Sequence, residues 1–374
     1  MRVLFFNEGN LGSHILGQAR LDAALRLGLD ADPAIDARFA GLEPMGRWSR
    51  AVAERPIPIA AQRNLDLRAL RWHLVQSLRG RRALERELRA WPADCVQIHT
   101  QSVALLAKGL MRRVPVIVSL DTTLRDWSAM PAWAADAREQ LTHAPARVLE
   151  RRALRSAALV LAWTDWARGA VAEQAPGARV IEHHPGLDLD HYTPAAREPR
   201  ERPRVLFVGG RFAEKGGEDL LAALEDRLGV DLDLDIVTPT AARARAGVRV
   251  HRLDSSDPRL VELLRQADVL CLPTYGDSNP WVLIEAMACG TPVVSTSVGA
   301  IPEMLEHGRA GVLVPHGDPR ALREALLALL SDTARRGELA AAARRRCEQR
   351  YDARRQFKTL VGLMRGLVRG ERGA

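Results

Sequence analysis

"RVLFVGGRFAEKGGEDLL" occupies Arg204–Leu221. An apolar run ends in two glycines, a charged turn follows, and a helix-like pattern begins. That order is strand, glycine turn, helix, the opening of an α/β unit. The letters "RVLF" also stand at Arg2–Phe5, again followed by a glycine-containing loop and a helix-like pattern. Four letters recur by chance, but the shared context points to two α/β halves.

Strand-like runs extend this reading on both sides. In the first half they are Val3–Phe6, Cys95–Ile98, Val116–Leu120 and Leu159–Ala162. In the second they are Val205–Val208, Leu234–Val237, Val248–His251, Val269–Leu272, Pro292–Ser295 and Gly311–Val314. Helical patterns at Gly217–Leu228, Pro258–Gln266 and Pro319–Leu330 separate the later ones. Alternation of this kind predicts parallel sheets in doubly wound folds, with ligands at the carboxyl ends of the strands. Residues 194–203 are proline-rich and charged without apolar period and read as a linker.

The bulk numbers fit. A chain of 374 residues suggests two domains, and 47% apolar with 27% charged residues is ordinary for a globular protein. No apolar run reaches transmembrane length, and the opening "MRVLFFNEGN" reads as a first strand rather than a signal peptide. Cys95, Cys271, Cys289 and Cys347 form no C-x-x-C pair, which suits a reducing cytoplasm. The net charge of +8 favours anionic partners. No zinc-finger spacing or RNA-recognition signature is present, so nucleic acid is not an expected partner.

A second stretch poses a chemical question. In "YGDSNPWVLIEAMACGTPVV", Tyr275–Val294, Glu285 sits among Trp281, Val282, Leu283, Ile284, Ala286, Met287 and Ala288. Those neighbours cover every face of a helix, so the carboxylate is expected to be buried and to need a partner. Ser278 or Asn279 would cap the helix, Pro280 would enter its first turn and Gly290 would end it. Asp277 would then lie in the loop at the strand's carboxyl end. The residues alone leave Glu285 between a ligand and a buried arginine or backbone partner. Arg211 and Lys215 likewise read either as diphosphate ligands beside a helix N-terminus or as a solvated basic turn.

The second half resembles the glycosyltransferase family 4 group of retaining enzymes with the GT-B fold. "VLFVGGRFAEKGGEDLLAAL" resembles its phosphate-binding turn. "LRQADVLCLPTYGDSNPWVLIEAMACGTPVVSTSVGAIPEMLEHGRAGVLVPHGDP" resembles its donor-site block, and "VIEHHPGLDLDHYTP" its interdomain crossing. The first half matches more weakly, through its opening strand and loop, "VQIHT" and "PVIVSLD". The resemblance implies two Rossmann-like doubly wound domains facing a central cleft. Residues 1–193 would form the acceptor domain, 194–203 the linker and 204–350 the nucleotide-sugar domain. Residues 351–374 would be a helix packing back on the first domain.

The resemblance also implies roles. Arg211 and Lys215 would hold the donor diphosphate, with Gly210 in the same turn. Glu285, the second acid of an E-x7-E pattern, would bind the ribose. Ser278, Asn279, Pro280, Trp281 and Val282 would line the donor sugar. Gly12, and less strongly His14, would approach the phosphates from the first domain. Two positions depart from the family pattern. Asp277 replaces the first acid, and Asp121 stands where a histidine is usual. Asp121 is kept as a sugar or acceptor contact, against a strand-end cap.

The implied activity is retaining transfer of a sugar from a nucleoside diphosphate sugar to a glycan or lipid-linked acceptor. Bacterial surface polysaccharide or glycolipid synthesis is the expected setting. Asp277, Arg211, Lys215 and Asp121 would be catalytic, with no resident cofactor and no metal. "DLDLD", Asp231–Asp235, reads as the solvent face of a strand rather than a D-x-D metal site. His183 and His184 lack spaced metal-binding partners. The alternatives are a sugar-nucleotide epimerase of GT-B shape and a catalytically inert partner subunit.

Residues 63–89 hold eight arginines against three acids, with Leu67, Leu70, Leu74 and Leu78 at helical spacing. This segment reads either as a helix docked on the first sheet or as a basic amphipathic helix on an anionic membrane. The expected location is the cytoplasm, with the inner face of the cytoplasmic membrane as the peripheral alternative.

Overall fold

The structure is a computed structural model that describes residues 1–9, 15–30, 32–61, 65–134, 136–240, 244–254 and 257–371. Gly12, His14 and Arg63 lie outside the described residues. Packing divides the chain into two units. The first comprises Met1–Ala129, Trp133–Pro185 and Arg354–Ala374, and the second Met130–Ala132 and Gly186–Ala353.

The first unit is built on β1 (Arg2–Asn7), β2 (Asp36–Gly41), β3 (Cys95–His99), β4 (Val116–Leu120), β5 (Leu159–Ala162) and β6 (Val180–Glu182). They form one parallel sheet in the order β2-β1-β3-β4-β5-β6. Every residue of β3, β4 and β5 is buried, as expected for strands covered on both faces. The edge strands β2 and β6 carry half-exposed residues and were not anticipated from sequence.

The second unit repeats the plan with β7 (Arg204–Val208), β8 (Asp233–Val237), β9 (Val248–His251), β10 (Val269–Leu272), β11 (Val293–Thr296) and β12 (Val312–Val314). Its parallel sheet runs β12-β11-β10-β7-β8-β9. The acids of β8 do not form the expected solvent face. Asp235 is 1% exposed, accepts a hydrogen bond from Arg249 Nε at 2.9 Å, lies 2.7 Å from His251 Nε2 and forms an ion pair with Arg204 at 3.1 Å. Burial opposes its charge, yet these bonds hold its carboxyl below the usual range.

The boundary between units falls between Pro185 and Gly186, ahead of the segment that reads as a linker. The physical reason is packing. Leu187, Leu189 and Tyr192 enter the second core, while Arg197 donates to Ala267 O and Arg200 to Gln266 O. Near the C-terminus the helix Thr333–Arg350 buries Leu339, Ala343 and Cys347 in the second unit. A break at Tyr351–Asp352 follows, then the helix Ala353–Val368. This last helix buries Phe357, Leu360, Val361 and Met364. Phe357 sits against Gly28, where an added Cβ would lie 2.0 Å from its ring.

One buried carboxylate ties the loops of the first unit together. Glu150, on the helix Ala137–Ser156, is 2% exposed. Its Oε1 accepts Leu124 N at 3.0 Å and Gln101 Nε2 at 3.1 Å, and Gln101 also donates to Thr122 O at 2.8 Å. It thereby joins the segment after β3 to the loop after β4. Burial pushes its pKa up to about 7, with Asp126 adding to the rise and Arg147 opposing it. A raised carboxyl pKa contributes stability below the ordinary value of 4.5, and that contribution is lost as pH rises through about 7. Glu150→Gln keeps the acceptor oxygen and removes the charge. It should match the parent near pH 5 and exceed it by up to about 3 kcal/mol above pH 8. Unfolding profiles of both proteins against pH check this, and parallel profiles would contradict it.

Candidate functional site

The order of the second sheet selects one place on its edge. From β7 the chain winds outward through β8 and β9, then returns to β10 on the other side of β7 and winds away through β11 and β12. At such a reversal the loops leaving neighbouring strands diverge and open a crevice at their carboxyl ends. The two loops here are Gly209–Gly216 after β7 and Pro273–Pro280 after β10. Each carries part of one of the sequence stretches quoted above.

The loops are bolted together. Lys215 Nζ donates to Gly276 O at 2.8 Å and to Asp277 Oδ2 at 2.5 Å. The backbone N–H of Tyr275 donates to Glu214 O at 3.0 Å. Tyr275 also donates its hydroxyl to Asp219 Oδ2 at 2.7 Å, and this bond pushes the phenol pKa up to about 12. Its carbonyl accepts Ala132 N at 3.0 Å. Gly216 has φ +75, and a Cβ there would lie 2.0 Å from Pro273 O. Only glycine permits both the turn and the approach. By contrast, a Cβ on Gly210 would meet no atom of the described residues within 4 Å, so among them this side of the turn is open.

The end of β11 and the loop after it brace the segment around Asp277. Thr296 Oγ1 donates to Thr274 O at 2.6 Å, and Ala300 N to Ser278 O at 3.1 Å. Gly299 has φ +57, and a Cβ there would approach Asp277 O to 2.2 Å. The Asp277 backbone is therefore confined by the close approach of Gly299 and its carboxylate by Lys215.

The helix after the β10 loop runs Trp281–Ala288, with Pro280 at its N-cap position and no side-chain cap. This corrects the expectation that Ser278 or Asn279 caps it. Both are buried instead, at 8% and 4% exposure. Trp281 and Val282 are half-buried at the crevice. Gly290 ends the helix as anticipated, with φ +68 and with Thr291 N bonded to Ala286 O. Glu285 is 3% exposed, and the Tyr192 hydroxyl donates to its Oε1 at 3.3 Å. Tyr192 comes from the segment that follows the unit boundary and was missed in the sequence.

The structure therefore gathers Lys215, Asp277, Gly210 and residues 278–282 at one reversal point. Arg211 lies on the same turn, half-exposed, and pairs with Glu214 at 2.7 Å. Nothing in the local pattern foretells the Lys215–Asp277 contact, since the two lie 62 positions apart.

The first sheet has its own reversal, between β1 and β3. Thr100 donates to Glu8 Oε2 across it at 2.9 Å. Asp121 follows β4 and is half-buried. His99 stacks on Trp163 with centroids 4.8 Å apart, and Trp163 donates to Ser119 Oγ at 2.8 Å. His183 contacts Gln356 O through Nε2 at 3.0 Å, and His184 packs edge-on against Trp163. Glu8, Thr100 and Trp163 were not singled out, although each directly follows a strand. Among the described residues no group of three His, Cys, Asp or Glu side chains is gathered to hold a metal.

Comparison with known proteins agrees with this layout. Residues 45–191 match the family model described as Glycosyltransferase Family 4, and residues 202–332 the model described as Glycosyl transferases group 1. The D-inositol 3-phosphate glycosyltransferase of Xylanimonas cellulosilytica is 38% identical over 189 residues, 43% of this chain and 45% of that protein. The match thus spans just under half the length of that relative. D-inositol 3-phosphate glycosyltransferase 1 of Catenulispora acidiphila is 27% identical over 411 aligned positions, 98% of this chain and 93% of that one. In fold, sucrose-phosphate synthase from Thermosynechococcus elongatus superposes with a TM-score of 0.74 at 17% identity, over 99% of this chain and 100% of that one. The chain belongs to the family-4-like glycosyltransferases and has their GT-B fold.

Proposed function

We propose that this chain transfers a sugar, with retained anomeric configuration, from a nucleoside diphosphate sugar to a glycan or lipid-linked acceptor. The carrying observation is Lys215, held between Gly276 O and Asp277 at the β7/β10 reversal beside the open Gly210 backbone. An ammonium has three donors, and two are used here. The third can reach a phosphate oxygen lying over the turn. Arg211 can exchange Glu214 for the same diphosphate and engage it bidentately.

In this reading the bond from the anomeric carbon to the diphosphate oxygen breaks as the acceptor oxygen bonds on the same face. The acceptor proton passes to the departing phosphate. Lys215, Arg211 and the nearby helix N-terminus stabilise the negative charge that develops there. These groups compensate the charge without a divalent cation, and no resident cofactor takes part. Asp277 accepts a hydroxyl of the transferred sugar and favours positive charge at its anomeric carbon. Glu285 binds the ribose through the carboxylate that Tyr192 orients. Asp121 contacts the sugar or acceptor. The setting is bacterial surface polysaccharide or glycolipid synthesis, in the cytoplasm or peripherally on the inner membrane face.

Two measurements test this. By calorimetry, Lys215→Ala should weaken binding of a nucleoside diphosphate about ten- to hundredfold, since a charged hydrogen bond is worth roughly 1.5–3 kcal/mol. The matching nucleoside should be little affected, and an unchanged diphosphate affinity would contradict the assignment. In steady-state kinetics, Glu285→Gln should mainly raise the donor KM, because binding common to ground and transition states is lost. Asp277→Asn should mainly lower kcat, and Asp277→Glu should retain activity or shift donor preference. Full turnover in Asp277→Asn with unaltered KM in Glu285→Gln would refute this division of labour. Product analysis showing an isomerised donor would replace transfer with epimerisation.

A further inference from the structure

Apolar exposure on this protein is concentrated. Among the described residues, six of the eleven exposed large apolar side chains are Trp48, Val52, Ile57, Ile59, Leu65 and Leu67. Trp48 is 86% exposed and Ile59 71%. Trp48 and Val52 stand one turn apart on the helix Arg47–Glu54, of which only Ala53 is buried. A cluster of this kind on a water-facing surface marks an interaction site.

The segment that carries it is held firmly from below. Arg71, on the helix Arg68–Ala90, donates to Val52 O at 2.8 Å and to Arg55 O at 2.9 Å. It also binds Asp66 Oδ1 at 2.9 Å, while Asp66 Oδ2 accepts Ile57 N at 3.3 Å. Arg79 donates to the carbonyls of Glu43 and Pro44 just ahead of the helix. The exposed side chains are therefore presented on a built platform.

Cations accompany them. Arg47, Arg50 and Arg55, with Ala51 and the single acid Glu54, line a shallow cavity of about 400 Å³ along the same short helix and its C-cap, and Arg50 also donates to Met45 O at 3.4 Å. An amphipathic tryptophan beside arginines matches the boundary of an anionic bilayer, where the indole sits at headgroup depth and the guanidinium groups meet phosphates. The apolar side chains stand proud and are interleaved with charge. A yielding lipid surface accommodates that relief, whereas a protein partner would need a matching pocket for each. The helix has eight residues and cannot span a membrane, so it would lie in the plane of the interface.

We propose that the face carrying Trp48, Val52, Ile57 and Ile59, with Arg47, Arg50 and Arg55, docks on an anionic lipid bilayer. This moves the membrane contact away from the segment that the sequence singled out. In the helix Arg68–Ala90 the core-facing side buries Leu84, Arg79 is occupied with carbonyls and Arg81 pairs with Glu85. The inference stands on the first unit alone and does not depend on the donor site.

Sedimentation of the full chain with vesicles tests it, using phosphatidylcholine with and without phosphatidylglycerol at low and high salt. The parent should bind the anionic vesicles, and salt should weaken that binding. Trp48→Ser with Ile59→Ser should weaken it by about tenfold or more. Arg47→Gln with Arg50→Gln and Arg55→Gln should abolish the preference for anionic lipid. Both variants should keep the parent's unfolding temperature, since the altered side chains are exposed. A parent that ignores anionic vesicles overturns the proposal, as does a Trp48/Ile59 variant that binds as tightly as the parent. A parent that instead forms an oligomer, dissolved by the Trp48/Ile59 change without vesicle binding, assigns the face to a second copy and also overturns it. Nucleotide binding by the same variants reads the donor site separately, so the two readings fail independently.

Discussion

The contact between Lys215 and Asp277 joins the loops of two adjacent strands at the one point where the second sheet reverses direction. Its side chains are 18% and 19% exposed. An ion pair so close to water stabilises a fold by about 0–1 kcal/mol. Packing of the kind that buries β10 and β11 contributes far more. The pair therefore has little weight as a structural strut. Its significance is positional: it fixes a cation and an anion side by side at the carboxyl ends of β7 and β10. The turn glycines, Gly216 and Gly299, serve the same end by letting backbones approach where a side chain would collide.

Glu285 shows how such a site is kept intact within an apolar helix. Its neighbours drive the helix into the core, and the carboxylate goes with them. Burial without a donor would be costly. Tyr192 supplies one from a segment that also packs Leu187 and Leu189 into that core. Glu150 plays a comparable part in the first unit, where a buried carboxylate gathers the N–H groups of two loops. In both, a polar group inside the protein holds two segments together, and in Glu150 this costs stability at neutral pH.

Much of this was legible in the sequence, for a physical reason. Strands covered on both faces are largely apolar, so β3, β4, β5 and β10 announce themselves. The edge strands β2 and β6 did not, because "DARFAG" and "VIE" lack that constraint. Charged composition at 194–203 suggested a linker, but Arg197 and Arg200 use their charge to bind carbonyls of the second unit. Asp235 looked solvent-facing because its partners Arg204, Arg249 and His251 lie on neighbouring strands. The same blindness hid Lys215 from Asp277. Local pattern shows which residues carry chemistry, while sheet order decides which of them meet.

The central claim is that a nucleoside diphosphate lies at the β7/β10 reversal. A structure determined with the uridine, guanosine, adenosine or thymidine diphosphate that binds tests it most directly. The account predicts the diphosphate over Gly209 and Gly210, with a phosphate oxygen on Lys215 Nζ and the ribose against Glu285. A nucleotide bound elsewhere, with Lys215 and Asp277 undisturbed and Glu285 in contact with Tyr192 but not with ribose, would contradict it.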